Sequence, residues 1–544
     1  MRVINGEKFK MLLISAANNL YNHYPEIDAL NVFPVPDGDT GMNMNLTLSS
    51  GAKEILNRSD TSIYEISKVF SRGLLLGARG NSGVITSQIF RGISQGLEGK
   101  DEATAIDLAS AFDNGRKIAY KAVIKPVEGT ILTVIRESSS ALLEKVNSKT
   151  TIEEALDIIL KEAKNSLART PNLLPVLKEV GVVDSGGAGL VKIFEGMSSA
   201  AHGEFIQKNE ATVFDSSIEE ESDSLTSVSY DVGFELKLGH KGNKKVYQKA
   251  RFFSVLNSRG TDLDIKEKDD MVLVHIKTEN IGEVISFAEN YGEFVRLNIK
   301  SSLVKEEKIE DKPIFQEEKE KLTKEFALVS TSSGPGIDKF FHEVGVEYIV
   351  PGGQTMNPST EDFVKIIKET SAKTVYVFPN NGNIIMAANQ AKDVLKGEID
   401  VIVIPTKTIM QGIVSSMMFS KDVSKNENIK NMEEALSSVK SGSVTFSIKD
   451  TDINGIHVNK DEFMSIRESK EIIYSNTNKI EALKVLLDKI VDEDSAIITV
   501  LFGKDVTKDE EEEVTKYIKE KYSDLDLDLR RGDQPIYSFL VGVE

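Results

Sequence analysis

Cysteine is absent from this chain of 544 residues. Disulfide bonds, zinc sites with thiolate ligands and cysteine nucleophiles are therefore excluded. The start of the sequence, Met1–Glu7, lacks the apolar stretch of a secretory signal, and no uninterrupted apolar run approaches the roughly 18 residues of a membrane span. We expect a cytoplasmic protein that is not integral to a membrane.

Basic residues are in deficit. The chain has 66 Lys and Arg residues against 85 Asp and Glu residues, which gives a formal net charge of −19. This balance argues against duplex nucleic acid or an anionic membrane as the main partner, because both carry negative charge. An anionic ligand would need local help from a metal ion, an arginine or a helix N-terminus.

The two commonest nucleotide-binding loops are missing as well. The sequence contains no Gly-x₄-Gly-Lys-Ser/Thr loop, and no Gly-x-Gly-x-x-Gly follows a predicted strand. A nucleotide site in this chain would therefore be of another kind.

Hydrophobic periodicity divides the chain into three predicted domains joined by two linkers. Apolar residues recur every three or four positions in the first domain, whereas the last domain alternates short apolar runs with helical stretches. The predicted order is an all-α domain at 6–202, an acidic linker at 203–228, a small α+β domain at 229–303, a charged linker at 304–324 and an α/β domain at 325–544.

Short apolar runs in the last domain predict the strands of a mainly parallel sheet, because helical stretches lie between them. The runs are Phe326–Thr331, Glu347–Val350, Thr374–Phe378 and Asp400–Ile404. A polar turn follows each run, at 332–336, 352–355, 379–383 and 405–408. Since open α/β sheets bind ligands or partners beyond the carboxyl ends of their strands, we expect these turns to gather at one edge.

The stretch Asn31–Gly41 reads Asn-Val-Phe-Pro-Val-Pro-Asp-Gly-Asp-Thr-Gly and is the most informative in the helical domain. Its prolines favour an extended arm, and the glycine turn after them can bring the carboxylates of Asp37 and Asp39 into one small volume. Such a pair suits Mg²⁺, which prefers oxygen ligands and takes others from phosphates. Thr40 is predicted to cap a helix that begins at Gly41, so that free N–H groups face the same place.

Two alternatives apply to this turn. Taken alone, an Asp-Gly-Asp turn is more often a solvated surface turn. A calcium-binding loop is excluded by its spacing, because Met42 stands at the sixth position instead of Gly and Leu48 at the twelfth instead of Glu.

A second glycine-bearing loop, Gly80–Gly83, leads into the apolar helix Val84–Ile93. Small residues there let backbone N–H groups approach phosphate oxygens at the start of a helix. The alternative is a plain turn between helices that Ser82 caps. Together with the Asp37/Asp39 turn, the loop makes a site for phosphate and Mg²⁺, since phosphoryl transfer depends mostly on positioning and charge neutralisation.

Four motifs, at 31–41, 77–83, 125–130 and 183–189, resemble in order and spacing the nucleotide-binding L domain (DhaL) of dihydroxyacetone kinases. Nearly the whole chain, including its ending Gly532–Tyr537, resembles the catalytic A subunits of bacterial fatty acid kinases. The resemblance implies an up-and-down helical barrel with ATP and two Mg²⁺ ions at one end, and a DegV-like C-terminal domain.

The resemblance also implies roles for particular residues. Asp37 and Asp39 would be catalytic metal ligands, and Asn31 would be a third ligand, at a place where dihydroxyacetone kinases have an aspartate. The residues implied in nucleotide binding are Thr40, Gly41, Asn45, Gly80, Asn81, Ser82, Gly83, Thr130, Asp184, Gly186 and Gly187.

The implied reaction is the phosphorylation of a fatty acid, presented by a separate DegV-like fatty-acid-binding protein, to acyl phosphate for phospholipid synthesis. A homodimer is also implied, and we assign the C-terminal domain to docking of the carrier. Two alternatives stay open: a phosphotransferase that acts on a small hydroxy-ketone, and a non-catalytic scaffold that binds nucleotide or lipid.

The middle domain departs from the family pattern. Relatives carry a Cys and a His-x-His pair suited to zinc, whereas Gly233, His275 and Lys277 stand at these places here. One histidine cannot form a structural zinc site, so we predict no zinc. His240 is a weak substitute ligand.

Overall fold

The computed structural model describes residues 1–32, 38–209, 230–238, 252, 256, 261–268, 271–278, 281–289, 291–301, 322–353, 356–447, 450–453, 455–468 and 471–544. The predictions for Asp37, for His240 and for most of both linkers lie outside these residues. The chain forms two compact units, one of Met1–Glu210 with Glu320–Glu544 and the other of Ala211–Lys319.

The N-terminal part of the first unit is a closed barrel of helices. Helices α1 to α7 pack on one another in chain order, and α9 packs on both α7 and α1, which confirms the up-and-down barrel. A short antiparallel pair of strands, β1 (Val3–Asn5) and β2 (Glu102–Thr104), accompanies it. The helices are α1 Gly6–Ala29, α2 Thr40–Ile55, α3 Ile63–Gly77, α4 Gly80–Gly96, α5 Ala105–Ala122, α6 Ile131–Lys145, α7 Ile152–Leu173, α8 Pro175–Val180 and α9 Ser185–Ala201.

Local sequence signals explain these helices. Thr104 with Asp107, and Thr151 with Glu154, form reciprocal capping boxes at the starts of α5 and α7. The apolar faces meet in one core, where the rings of Phe112 and Phe194 pack edge to face with centroids 5.7 Å apart. Because consecutive helices run in opposite directions, α2, α4 and α6 begin at the same end of the barrel.

The second unit is a small α+β fold, as predicted. Its antiparallel sheet has the order β4-β5-β3-β6. The register places Gly233 opposite His275. The elements are β3 Tyr230–Leu238, β4 Thr261–Lys268, β5 Met271–Thr278, α10 Ile281–Ala288 and β6 Gly292–Ser301.

The C-terminal part of the first unit begins with a parallel sheet of order β10-β9-β7-β8, which confirms the predicted strands. Its strands are β7 Lys324–Ser332, β8 Tyr348–Pro351, β9 Ala372–Phe378 and β10 Asp400–Val403, and the helices are α11 Pro335–Glu343, α12 Thr360–Glu369, α13 Ile385–Val394, α14 Ile409–Met417 and α15 Lys425–Ala435. Residues of all four predicted turns line a cavity of about 70 Å³ at one edge.

A second, six-stranded sheet follows, and it is mostly antiparallel, unlike the mainly parallel sheet that the short apolar runs predict. Its order is β15-β14-β11-β18-β16-β17, and only β16 and β17 pair in parallel. Only three residues separate β14 from β15, a connection that only antiparallel pairs allow. The elements are β11 Lys440–Phe446, β12 Thr451–Ile453, β13 Ile456–Val458, β14 Phe463–Arg467, β15 Glu471–Asn476, α16 Lys479–Ile490, β16 Ile497–Phe502, α17 Lys508–Lys521, β17 Asp526–Arg531 and β18 Tyr537–Val543.

Within the described ranges, no helix combines the length and the apolar character that crossing a membrane requires.

Candidate active site

A cavity of about 240 Å³ lies at the end of the barrel where α2, α4, α6 and α9 begin. It brings together most of the residues that the four motifs singled out. The predicted site residues that line it are Asn31, Asp39, Thr40, Asn81, Ser82, Thr130, Asp184 and Gly186.

The other described site residues lie behind this lining. Asn45 is buried one turn further along α2, where its Oδ1 accepts a hydrogen bond from Ser49 Oγ at 3.4 Å, and Asn43 lines the cavity instead. The predicted glycines Gly41, Gly80, Gly83 and Gly187 serve close packing: a Cβ on Gly41 would lie 2.2 Å from Tyr24 O, and one on Gly83 would lie 2.3 Å from Thr47 Oγ1.

The start of α2 differs from the prediction. Thr40 is the first residue of the helix and not its cap, and no side chain of the preceding residue Asp39 caps it either. The cap comes from Asp28 at the end of α1, whose Oδ1 accepts from Gly41 N at 2.6 Å and from Met42 N at 3.1 Å. These two N–H groups are therefore already bonded within the chain and do not face a ligand.

Asp28, at this end of the barrel, has a carboxyl group with a raised pKa. The pKa of this group is raised to about 7, mainly by burial and also by the nearby charge of Asp39, against the lowering effect of hydrogen bonds from the N–H groups of Met42 and Gly41. Two acids thus lie close together at the start of α2, even without Asp37, which the structure does not describe.

Helix α4 begins at Gly80, in the loop for which the sequence predicts phosphate binding. Among the described residues no side chain caps this helix, and Ser82 Oγ donates instead to Thr40 O at 3.5 Å, so the expected cap by Ser82 is wrong. The first-turn N–H groups of a helix have no acceptor within the helix. Gly80 has φ +58°, and a Cβ there would lie 2.6 Å from Asn43 Nδ2, which explains the glycine.

The starts of α6 and α9 complete the cavity. Thr130 caps α6, and its hydroxyl donates to Val127 O at 2.7 Å. Asp184 caps α9, and its Oδ2 accepts from Gly187 N at 2.7 Å. Burial raises the pKa of Asp184 to about 6, against the lowering effect of hydrogen bonds from the N–H groups of Gly187 and Ile131.

Sequence reasoning missed several lining residues. Asn43 stands three positions after Thr40, on the same face of α2, so helical spacing could have revealed it. Lys125 is the only basic residue among the described lining. It is the first residue of the motif at 125–130, in which only Thr130 was assigned a role. Asn383 and Met386 come from the C-terminal part of the same unit, and no local signal links them to the barrel.

The donors at this end of the barrel fit a hard cation. Asp39 and Asn31 both line the cavity and offer carboxylate and amide oxygens, the atoms that Mg²⁺ prefers. Of the residues that the structure describes, no three acidic, histidine or cysteine side chains gather around one point. Since Asp37 lies outside them, the two-ion site stays a prediction.

Comparison with known proteins places these features in a family. Three family profiles match in order: the DAK2 domain at residues 34–199, the middle domain of FakA-like fatty acid kinase proteins at 227–307, and their C-terminal domain at 327–544. An uncharacterised protein of Staphylococcus haemolyticus is 41% identical over 99% of both chains, and one of Staphylococcus aureus (strain USA300) is 40% identical over 99% of both. The chain belongs to the FakA-like fatty acid kinase family.

Solved structures resemble parts of this FakA-like chain. A DegV family protein from Corynebacterium glutamicum is 12% identical, with 41% of this chain and 97% of that one covered and a TM-score of 0.32. The Streptococcus pneumoniae fatty acid kinase (Fak) B3 protein loaded with linoleic acid is 11% identical, with coverage of 40% and 99% and a TM-score of 0.29. The dihydroxyacetone kinase of C. freundii is 20% identical, with coverage of 35% and 34% and a TM-score of 0.28.

Proposed function

We propose that this chain is the ATP-dependent kinase component of a fatty acid kinase system, and that it phosphorylates a fatty acid held by a separate fatty-acid-binding protein. The observation that carries the proposal is the cavity at the barrel end, where Asp39, Ser82, Thr130 and Asp184 meet. Membership of the FakA-like family and the match to the DAK2 domain support the same reaction class.

In this proposal each group of lining residues has a role in binding ATP. The start of α4, which carries Ser82 and has no side-chain cap from the described residues, presents a positive dipole end to the phosphates of ATP, and Lys125 adds a full positive charge. The apolar side chains of Ile85 and Leu132 also line the cavity and exclude water from it. Asp39, together with Asn31 and Asp37, would hold Mg²⁺, which when bound neutralises phosphate charge.

The proposed chemistry needs no side-chain nucleophile. A carboxylate oxygen of the fatty acid forms a bond to the γ-phosphorus of ATP, and the bond from that phosphorus to the bridging oxygen of the β-phosphate breaks. The products are acyl phosphate, as a precursor for phospholipid synthesis, and ADP. We assign docking of the DegV-like carrier to the C-terminal domain of this chain.

The decisive experiment measures ATP consumption with Mg²⁺, a fatty acid and a DegV-like fatty-acid-binding protein. We expect turnover only when all are present, and a fall of roughly 10³-fold in Asp39→Ala, because the metal supplies most of the charge stabilisation. The matched control is Asp422→Ala, which removes an exposed acid. Unchanged turnover in Asp39→Ala would reject the site.

A panel of acceptors tests the alternatives. Turnover with dihydroxyacetone but not with fatty acid would make the chain a hydroxy-ketone kinase. Titration calorimetry that shows no Mg²⁺-dependent binding of ATP would make it a scaffold.

A further inference from the structure

A short segment before α12 lies against the start of α4 in the barrel. Thr360 N donates to Ala78 O at 3.1 Å, and Arg79 and Ser359 form an antiparallel bridge. Arg79 Nη1 donates to Asn357 O at 2.8 Å, and its Nη2 lies 3.7 Å from Asp362 Oδ2. Arg79, which precedes the loop at 80–83, thus binds the C-terminal part of the chain.

Asn357 reaches from this segment to the acid of the candidate site. Its side-chain Nδ2 donates to Asp39 Oδ2 at 2.5 Å, and the residue is only 3% exposed. Its Oδ1 is buried and has no hydrogen-bond partner among the described residues. The bond engages one of the two oxygens of the Asp39 carboxylate and restricts its rotation, whereas the amide itself adds no charge.

The attachment of the C-terminal part to the helical barrel does not depend on Asn357. Gln390 on α13 accepts from Gln88 Nε2 at 2.7 Å and donates to Leu75 O at 2.6 Å. Asn383 Oδ1 accepts from Asn81 Nδ2 at 3.1 Å. Ala78 and Val84 of the barrel lie in the same apolar cluster as Phe363 and Ile384. Loss of the Asn357 side chain therefore leaves most of this contact in place.

We propose that Asn357 is a positioning residue of the kinase site, which orients the Asp39 carboxylate toward the cation that accompanies ATP. The proposal rests on the proposed function. Hydrogen bonds to a ligating carboxylate fix its orientation, and loss of such a partner typically lowers metal affinity 10-fold to 100-fold. The kinase site is then built from two parts of the chain, and the C-terminal part serves it directly.

The test is the affinity for ADP, measured by titration calorimetry with Mg²⁺ and again with EDTA, in the full chain. In Asn357→Ala we expect Mg²⁺-dependent binding to weaken 10-fold to 100-fold and binding in EDTA to change less than about twofold. Hydrogen exchange at the Thr360 amide reports whether the two parts stay attached, because that amide bonds to Ala78 O.

Gln390→Leu is the matched variant, because it weakens the attachment without touching Asp39. The proposal requires a larger loss of Mg²⁺-dependent affinity in Asn357→Ala than in Gln390→Leu. Equal losses in the two variants, or Mg²⁺-dependent affinity in Asn357→Ala within twofold of the unchanged chain, would overturn it. If the unchanged chain itself shows no Mg²⁺-dependent binding, the proposed function fails instead.

Discussion

Gln88 of helix α4 donates its side-chain amide to Gln390 of helix α13 at 2.7 Å, and both residues are about 5–6% exposed. Gln390 also accepts from Ser87 Oγ at 3.3 Å and donates to Leu75 O at 2.6 Å. Buried amides that satisfy one another in this way fix the relative placement of the elements that carry them, because a mismatch would leave polar groups without partners. The pair therefore sets how α13 lies on the barrel.

Gln390→Leu keeps the volume of the side chain but removes these bonds. We expect a loss of about 1–3 kcal/mol in the free energy of unfolding, because Gln88 and Leu75 O stay buried without this partner. Urea unfolding followed by circular dichroism measures it. The control is Asn389→Ala, whose amide donates to Ile385 O of its own helix at 3.0 Å, and whose free energy of unfolding should stay within about 0.5 kcal/mol of the unchanged chain. Equal effects in both variants would contradict the role of Gln390.

Asp184 predicts a pH dependence of stability. Burial raises its pKa in the folded chain to about 6, above its ordinary value of about 3.9. The folded chain then binds this proton more tightly than the unfolded chain does, so the contribution to stability is most favourable below pH 4 and is lost, by up to about 3 kcal/mol in all, as the pH rises through 6 to about 7.

Asp184→Asn should remove that pH dependence, since the amide oxygen can still accept from Gly187 N. Unfolding free energies of both chains between pH 4 and 7 give the difference curve, with the exposed Asp509→Asn as the control. A flat difference curve would show that Asp184 has an ordinary pKa.

Gly83→Ala tests whether this glycine serves helix packing. A Cβ would lie 2.3 Å from Thr47 Oγ1, and Thr47 is fully buried and bonded to Asn43 O at 2.7 Å. We expect a loss of about 1–3 kcal/mol from overpacking, measured by thermal unfolding. Gly382→Ala is the control, since nothing lies within 4 Å of its added Cβ. Similar melting temperatures for the two variants would mean that α2 and α4 move apart to accommodate the added methyl group at little cost in stability.

Lys125→Ala tests the electrostatics of the cavity. A charge-assisted hydrogen bond is worth about 1.5–3 kcal/mol, so we expect the Kd for ATP to rise about 10-fold or more. Lys145→Ala, an exposed lysine at the other end of α6, should leave the Kd unchanged. Should both variants bind ATP alike, Lys125 would not contact the phosphates.

The sequence predicted the features that depend on short-range pattern. Periodicity predicted the all-α domain and the parallel sheet. The barrel, and a site that joins Asp39, Ser82, Thr130 and Asp184, were implied by the family resemblance of motifs that each precede a helix. The cap that Asp28 provides to α2 could not be found, because its partner Gly41 lies 13 residues away along the chain. The contact of Asn357 with Asp39 joins residues 318 positions apart and leaves no local trace.

The six-stranded sheet likewise depends on long-range pairing that the sequence does not reveal. Its order, β15-β14-β11-β18-β16-β17, places the last strand in the middle, between neighbours from two different stretches of chain. Pairing of this kind is decided by burial of whole faces and not by the residues of any one strand.

Ala78 and Val84 of the barrel share an apolar cluster with the sheet of the C-terminal part. This cluster limits where the chain can be truncated. A fragment that ends at residue 209 would expose Ala78 and Val84 and leave Gln88 in water. Such a fragment should therefore aggregate more readily than the intact chain, and soluble expression would favour a truncation that keeps both halves of the unit.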